Sequence, residues 1–487
     1  MKKTKKNIFT AAVAVALAAV MAIGGSIAYY QTSTATISNT FEKPAMTISL
    51  TEDGDQSYEI IPGTEEDKNP TVSVSTTIDS YVYLFVTDKT DGLVNYEINE
   101  DGWTILEDAC TDTLTVYYRE VEADTEAEWE VLVDNKVSYD TSLTLEDLDA
   151  AADDLSLSFY AFIVQADGFE DALEAFNAVI TVGDSYIFYS EDEDGASITE
   201  EDGVITLSSD GTITLTEDIE GAIAVEDEAE VEIDTGNYDI ESTTAGVAAV
   251  SVEYGSTVTL SGDGEVTNTA NQTSNTAGSA AIFNNGTITV NGGTYSAESE
   301  DGVSWYTVIN HGTMTINDGT FTNEAASTNS SLVENGYYDP DSGNSTTGYV
   351  EGVNQENPTL TINGGTFTSS ASTCIKNDEC GILVINGGEF TAKTYGWSVY
   401  NYADATFNGG TFNSYVYTKY VASNTMPATV EGATSIITGG TYNKLVSGNT
   451  GATIEISGGT FAVSPDSSYI VDGYSITTND DGTYTVE

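Results

Sequence analysis

Positive charge is nearly missing from this chain. Its 487 residues hold 13 Lys and Arg against 78 Asp and Glu, a formal net charge of −65. Four of the lysines (Lys2, Lys3, Lys5, Lys6) fall in the first six residues, so the remainder is poorer still. A surface this negative repels phosphate backbones and anionic lipid, which excludes nucleic acid as a partner. Histidine occurs once, at position 311, and arginine once, at 119. A single histidine excludes a His-Glu-x-x-His zinc site, and a Ser-His-Asp triad would have to be built on His311. Three cysteines (Cys110, Cys374, Cys380) are too few for a disulfide scaffold. Cys374 and Cys380 flank a short loop and could pair, leaving Cys110 over; the alternative is free, partly buried thiols. Proline is scarce at 7, which argues against extended Pro-rich linkers.

What is abundant points to ordered β structure. The chain has 45 Gly, 29 Tyr and 40% hydrophobic residues. Aromatic and β-branched residues favour strands, and many glycines among few prolines imply many tight turns. The high charge is therefore a mark of solubility and not of disorder.

The N-terminus reads as an export signal. Met-Lys-Lys-Thr-Lys-Lys precedes a short apolar run from Ile8 to Ile23. Ser26-Ile27-Ala28 places small residues before a cleavage point between Ala28 and Tyr29. The run is short for a membrane span, although retention as an uncleaved anchor stays open. Behind it, Val72, Val74 and Thr76 alternate with polar neighbours, as do residues 113–118 and 155–160, which predicts half-buried strands. Residues 170–179 predict one short amphipathic helix.

Several segments in this half carry a family resemblance. Gly24-Gly25-Ser26-Ile27-Ala28-Tyr29-Tyr30 is followed by Thr34-Ala35-Thr36-Ile37-Ser38-Asn39-Thr40-Phe41. Ile61-Pro62-Gly63, Tyr81-Val82-Tyr83-Leu84-Phe85-Val86 and residues 159–169 then come in matching order. Over about residues 1–190 the chain resembles the TasA/camelysin family. The resemblance implies processing by a signal peptidase of the SipW type, a jelly-roll-like antiparallel β-sandwich, and assembly of some members into biofilm matrix fibres. The protease activity associated with camelysin does not carry over, because His311 lies outside this half.

After an acidic stretch the pattern changes to a repeat. Asn291-Gly292-Gly293-Thr294-Tyr295 recurs as Asn317-Asp318-Gly319-Thr320-Phe321, Asn363-Gly364-Gly365-Thr366-Phe367 and Asn386-Gly387-Gly388-Glu389-Phe390. Further copies carry Phe412, Tyr442 and Phe461, and weaker ones lie at 231–236 and 258–264. The spacing runs from 19 to 30 residues, with one step of 46 that reads as two coils of 23. Such periods are the mark of a solenoid. A second series, Asn284, Asn310, Asn377 and Asn401, supports three strands per coil, with Asn side chains stacking at repeated turns. The aromatics fall at one register position and are read as an internal stack. The pattern resembles right-handed parallel β-helices of the pectin-lyase-like type, with a C-terminal cap from about Ser464 onward.

The fold expected is therefore all-β, a jelly-roll-like antiparallel β-sandwich followed by a right-handed parallel β-helix solenoid. The expected organisation is signal peptide 1–28, sandwich 29–190, a solvated acidic linker 191–203 and the β-helix 204–487. Catalysis is not expected. Beyond residue 200 only Lys376, Lys393, Lys419 and Lys444 are basic, dispersed along the array, and no Asp-Asp pair sits on a repeated strand. A polysaccharide-degrading enzyme remains the alternative. No cofactor is expected, with calcium left open for the acidic linker. The aromatics Trp305, Tyr306, Trp397, Tyr400, Tyr402, Tyr415 and Tyr417, on or near inserted loops, are the candidate ligand-binding residues. Together these readings describe a secreted bacterial surface or matrix protein, a structural rod or adhesin. Its partners would be glycans, surface proteins or further copies of itself.

Overall fold

The computed structural model describes residues 45–53, 58–111, 113–144, 147–148, 155–183, 185–190, 197–270, 280–298, 306–324, 331–337, 350–370, 372–420 and 433–487. The expected signal peptide, its Ala28/Tyr29 junction and Trp305 lie outside the described residues.

The run Tyr81-Val82-Tyr83-Leu84-Phe85-Val86 has no polar alternation, so as a strand it must bury both faces. Strand Ser80–Lys89 does this at the centre of a four-stranded antiparallel sheet, between Leu114–Val121 and Ser156–Gln165. Its Val82, Leu84 and Val86 face Val72, Val74 and Val131 of a sandwich completed by the sheet Met46–Thr51, Thr71–Thr76 and Thr125–Glu130. Tyr81, Tyr83 and Phe85 point the other way, onto helix Ala172–Val179 through Ala172, Ala175 and Phe176. Asp171 caps that helix, its side chain accepting from the Glu174 amide at 2.9 Å. Tyr83 donates from its hydroxyl to the Ala172 carbonyl at 2.6 Å.

From Val204 on, the chain winds into a parallel β-helix with three faces, here A, B and C, whose sheets contain 12, 11 and 12 strands. On face C the repeat aromatics stand in register from Tyr295 to Phe461. Their ring centroids are 4.7–5.2 Å apart and their planes within 16° of parallel. That spacing is close to the distance between neighbouring strands, so one ring per coil builds a continuous core.

The two repeat glycines have different jobs. A Cβ on Gly387 would sit 2.3 Å from the Asn363 carbonyl oxygen of the coil before, so the first glycine supplies space. Gly388 has φ +94°, which an L side chain rarely adopts, so the second supplies the turn. The asparagines form two ladders. On the outside, Nδ2 of Asn317, Asn363, Asn386 and Asn408 donates to Oδ1 of the previous rung at 2.8–2.9 Å. Inside, Asn284, Asn310, Asn335 and Asn377 donate in the opposite sense, each to the next rung, at 2.7–2.8 Å.

The 46-residue step is one coil and not two. Thr313–Ile316 pairs directly with Thr359–Ile362 on face A, and Thr320–Glu324 with Thr366–Ser369 on face C. Ser331–Asn335 supplies the face B strand of that coil, and a long insert fills the remainder. The segment 191–203 is also not wholly a solvated linker. Ile198–Glu201 pairs antiparallel with Val204–Leu207 and covers the open edge of face B. Tyr186–Ser190 does the same for face A on Gly211–Leu215, so a strand that follows the sandwich in sequence joins the solenoid's own sheet. Lys89 strengthens the junction with a 3.2 Å ion pair to Glu217 and lies over the Tyr238 ring at 4.7 Å. At the other end Tyr484–Val486 caps face C by pairing antiparallel with Thr460–Phe461.

Candidate functional site

Face B departs from the regular pattern. Its outward positions form one column through the register: Ser251, Phe283, Ile309, Glu334, Lys376, Tyr400, Tyr417 and Ser447. A solvated face would be polar here. This one is apolar, then ionic, then aromatic.

The aromatic end is accessible. Trp397 neighbours Tyr415 in register, and Tyr400 neighbours Tyr417. The Trp397 and Tyr400 rings meet edge to face at 4.8 Å, while Tyr400 lies tilted against Tyr417 at 5.3 Å and against Tyr402 at 4.9 Å. All five residues are half-buried, each keeping part of its surface open. Lys419 lies over the Tyr402 ring at 5.1 Å and Lys376 reaches the same ring at 5.7 Å. Two of the four solenoid lysines thus converge on one tyrosine, where sequence position had them dispersed. These aromatics stand mainly on strands Trp397–Asn401 and Tyr415–Thr418, and not on inserted loops.

Tyr306 does not belong to this open patch. It is buried, and its hydroxyl lies 3.5 Å from the Lys376 ammonium. Around Lys376 gather Glu334, Asp378 and Glu379, with 0%, 1% and 6% exposure. Lys376 forms an ion pair with Asp378. Carboxylates therefore do assemble on a repeated face: Glu334 lies on Ser331–Asn335, and Asp378 follows strand Thr373–Asn377. Burial, then the charge of Asp378, raises the Glu379 carboxyl to about 8. Burial is also the main cause that puts Glu334 well above the carboxylate range, against the pull of Lys376. The sequence carried a faint signal. Glu334 and Lys376 each immediately precede a ladder asparagine, at positions that Phe283, Ile309 and Tyr400 fill in other coils.

His311 is buried beside the Phe283 and Tyr337 rings, at 5.6 and 4.9 Å, and neither ring nitrogen has a hydrogen-bond partner. Desolvation lowers its pKa to about 4, so it is neutral at physiological pH. None of the three cysteines forms a disulfide. Cys374 faces the solenoid core, whereas Cys380 sits outside against Tyr337, so the two thiols are on opposite sides of the wall. Burial pushes them up to about 12 and about 11, which makes them poor nucleophiles. Among the described residues no three His, Cys, Asp or Glu side chains are grouped to hold a metal ion, and no helix is long and apolar enough to cross a membrane.

The fold and this face define an all-β protein, an antiparallel sandwich continued by a parallel β-helix with one specialised wall. The chain matches no protein-family model, no curated protein and no solved structure.

Proposed function

We propose that this is an exported bacterial surface or matrix protein, in which the β-helix is a stiff rod that presents the Trp397–Tyr400–Tyr402–Tyr415–Tyr417 patch to glycans. The observation that carries the reading is the cluster itself. Five half-buried aromatics share one outward patch at one end of this wall. Rings with an apolar face and a polar tip suit the C–H face of a pyranose with its hydroxyls alongside. Continuity between sandwich and solenoid supports a rod held rigidly on its N-terminal domain. In this reading that domain tethers or polymerises the protein through residues 29–37, which lie outside the described residues. The reading assigns no catalytic step.

Screening the purified chain on a glycan array tests it, with a Trp397→Ala/Tyr417→Ala double variant beside it. Binding that the double variant loses supports the reading, and an array without a single binder overturns it.

A further inference from the structure

The buried ionic group behind the patch has no part in making the rod, since a solenoid wall needs no charge. Removing a lysine and carboxylates from water is costly, and a buried ion pair seldom recovers that cost as stability. A chemical use would account for it.

Three facts coincide there. The Lys376 nitrogen lies against the Asp378 carboxyl group, yet Asp378 Oδ2 has no partner in hydrogen-bond geometry. Glu334 stands directly opposite Lys376 on the adjacent parallel strand, wholly buried, and neither of its carboxyl oxygens has a hydrogen-bond partner. Aromatic rings close the space, with Tyr306 on one side of the ammonium and Tyr402 on another.

We propose that Lys376 and Asp378 condense into an intramolecular amide, with Glu334 as the acid that carries the proton. The charged pair first becomes a neutral pair, as the ammonium passes one proton to the carboxylate it touches. The Nζ lone pair then attacks Cγ of Asp378, and the carbonyl π pair moves onto oxygen. The carboxyl of Glu334 gives its proton to the departing hydroxyl and takes one from nitrogen. The C–OH bond breaks, the carbonyl reforms, and one water leaves. Glu334 ends protonated as it began, so the step consumes no oxidant, nucleotide or other reactant. Burial alone would favour the neutral amine, but the charge of Asp378 holds Lys376 well above its ordinary value, so this proton transfer is the costly step of the sequence. Fixed contact replaces a bimolecular encounter, and well-oriented intramolecular reactions reach effective molarities on the order of 10⁵ M or more. A buried carboxyl that stays protonated is suited to general acid catalysis. The bond would span Asn377, a rung of the inner ladder, and lock the turn that leads to Cys380.

Mass spectrometry of the folded full chain tests this without a variant. Cleavage after Glu356 and Glu379 releases a peptide, 357–379, holding both partners. Its expected mass is one water below that of the sequence, with no fragment ions from breaks between 376 and 378. Lys376 should also resist acetylation in the denatured protein. A peptide at its full mass overturns the proposal. So does a water loss that reverses in mild base while Lys376 acetylates, which would be a succinimide at Asp378. A Glu334→Gln chain with the wild-type melting profile should leave most of the peptide at full mass. Complete bond formation in that variant overturns the role of Glu334.

Discussion

Glu334 and Lys376 face each other across adjacent parallel strands on the outside of the solenoid, and both are shut off from water. Opposite charges in register contribute modestly on an exposed sheet. Here the pair is buried with Asp378 and Glu379, and its protonation becomes part of the fold's stability.

That coupling has a definite sign. The Glu379 carboxyl titrates at about 8 in the folded chain, against an ordinary value of 4.5. Between those values the folded state keeps a proton that the unfolded chain has released. This contribution is fully present below the unfolded value and is lost as pH rises through the folded one. Stability should therefore fall from about pH 5 to pH 8, by at most about 1.4 kcal/mol per pH unit for this group. His311 acts in the opposite sense, losing stability as pH falls from 6.5 toward 4. Comparing the melting temperature of wild type and Glu379→Gln across this range isolates the carboxyl. A variant as pH-sensitive as wild type would contradict the assignment.

The two asparagine ladders should differ in worth. Asn335 is wholly buried and donates to Asn377 while accepting from Asn310. Replacing it by Ala leaves buried partners unsatisfied, an expected loss of about 2 kcal/mol or more. Asn363 holds an equivalent place in the outer ladder, where water can substitute. Asn363→Ala should cost under about 1 kcal/mol. Urea midpoints of the two variants check the ranking, and equal shifts would refute it.

The face C aromatics predict a local core effect. Phe367 is buried between Phe321 and Phe390, with centroids 4.8 Å away on each side. Phe367→Ala should cost about 3–5 kcal/mol, and Phe367→Leu clearly less. Because each coil touches only its neighbours, the damage should spread from the coil that holds the residue. Hydrogen exchange should show lost protection in Leu360–Ile362 and Leu383–Ile385 before the sandwich strands.

The aromatic stack was legible in the sequence because one residue type recurs at one offset from a glycine pair, whereas the outer ladder of the asparagines before those glycines went unread. The inner ladder was only partly legible. Asn335 sits just before a long insert, so its coil has no second landmark at the usual spacing, and the 46-residue step happens to equal twice 23. The ionic group was hidden for a related reason. Glu334 and Lys376 are brought opposite each other only by the register across that insert, which no local pattern encodes. The aromatic patch was visible as composition, but its placement on strands depended on knowing which wall of each coil is bare. Tyr306 illustrates the limit, since its burial against Lys376 is a tertiary event.

The shared sheet makes a last prediction about how the halves depend on each other. Gly211–Leu215 begins face A, and its outer edge is satisfied by Tyr186–Ser190, a strand from the N-terminal side of the acidic segment. Ile180–Val182 continues that sheet outward. A fragment starting at residue 204 would keep every parallel coil but strip this cover, leaving a row of unpaired backbone groups on a hydrophobic wall. Such edges pair with other chains. The fragment 204–487 should therefore self-associate. A fragment starting at 180 retains both covering strands and should do so far less at equal concentration. Light scattering on the two fragments decides it. If both were equally monomeric, the antiparallel strands would not be serving as the cap of the rod.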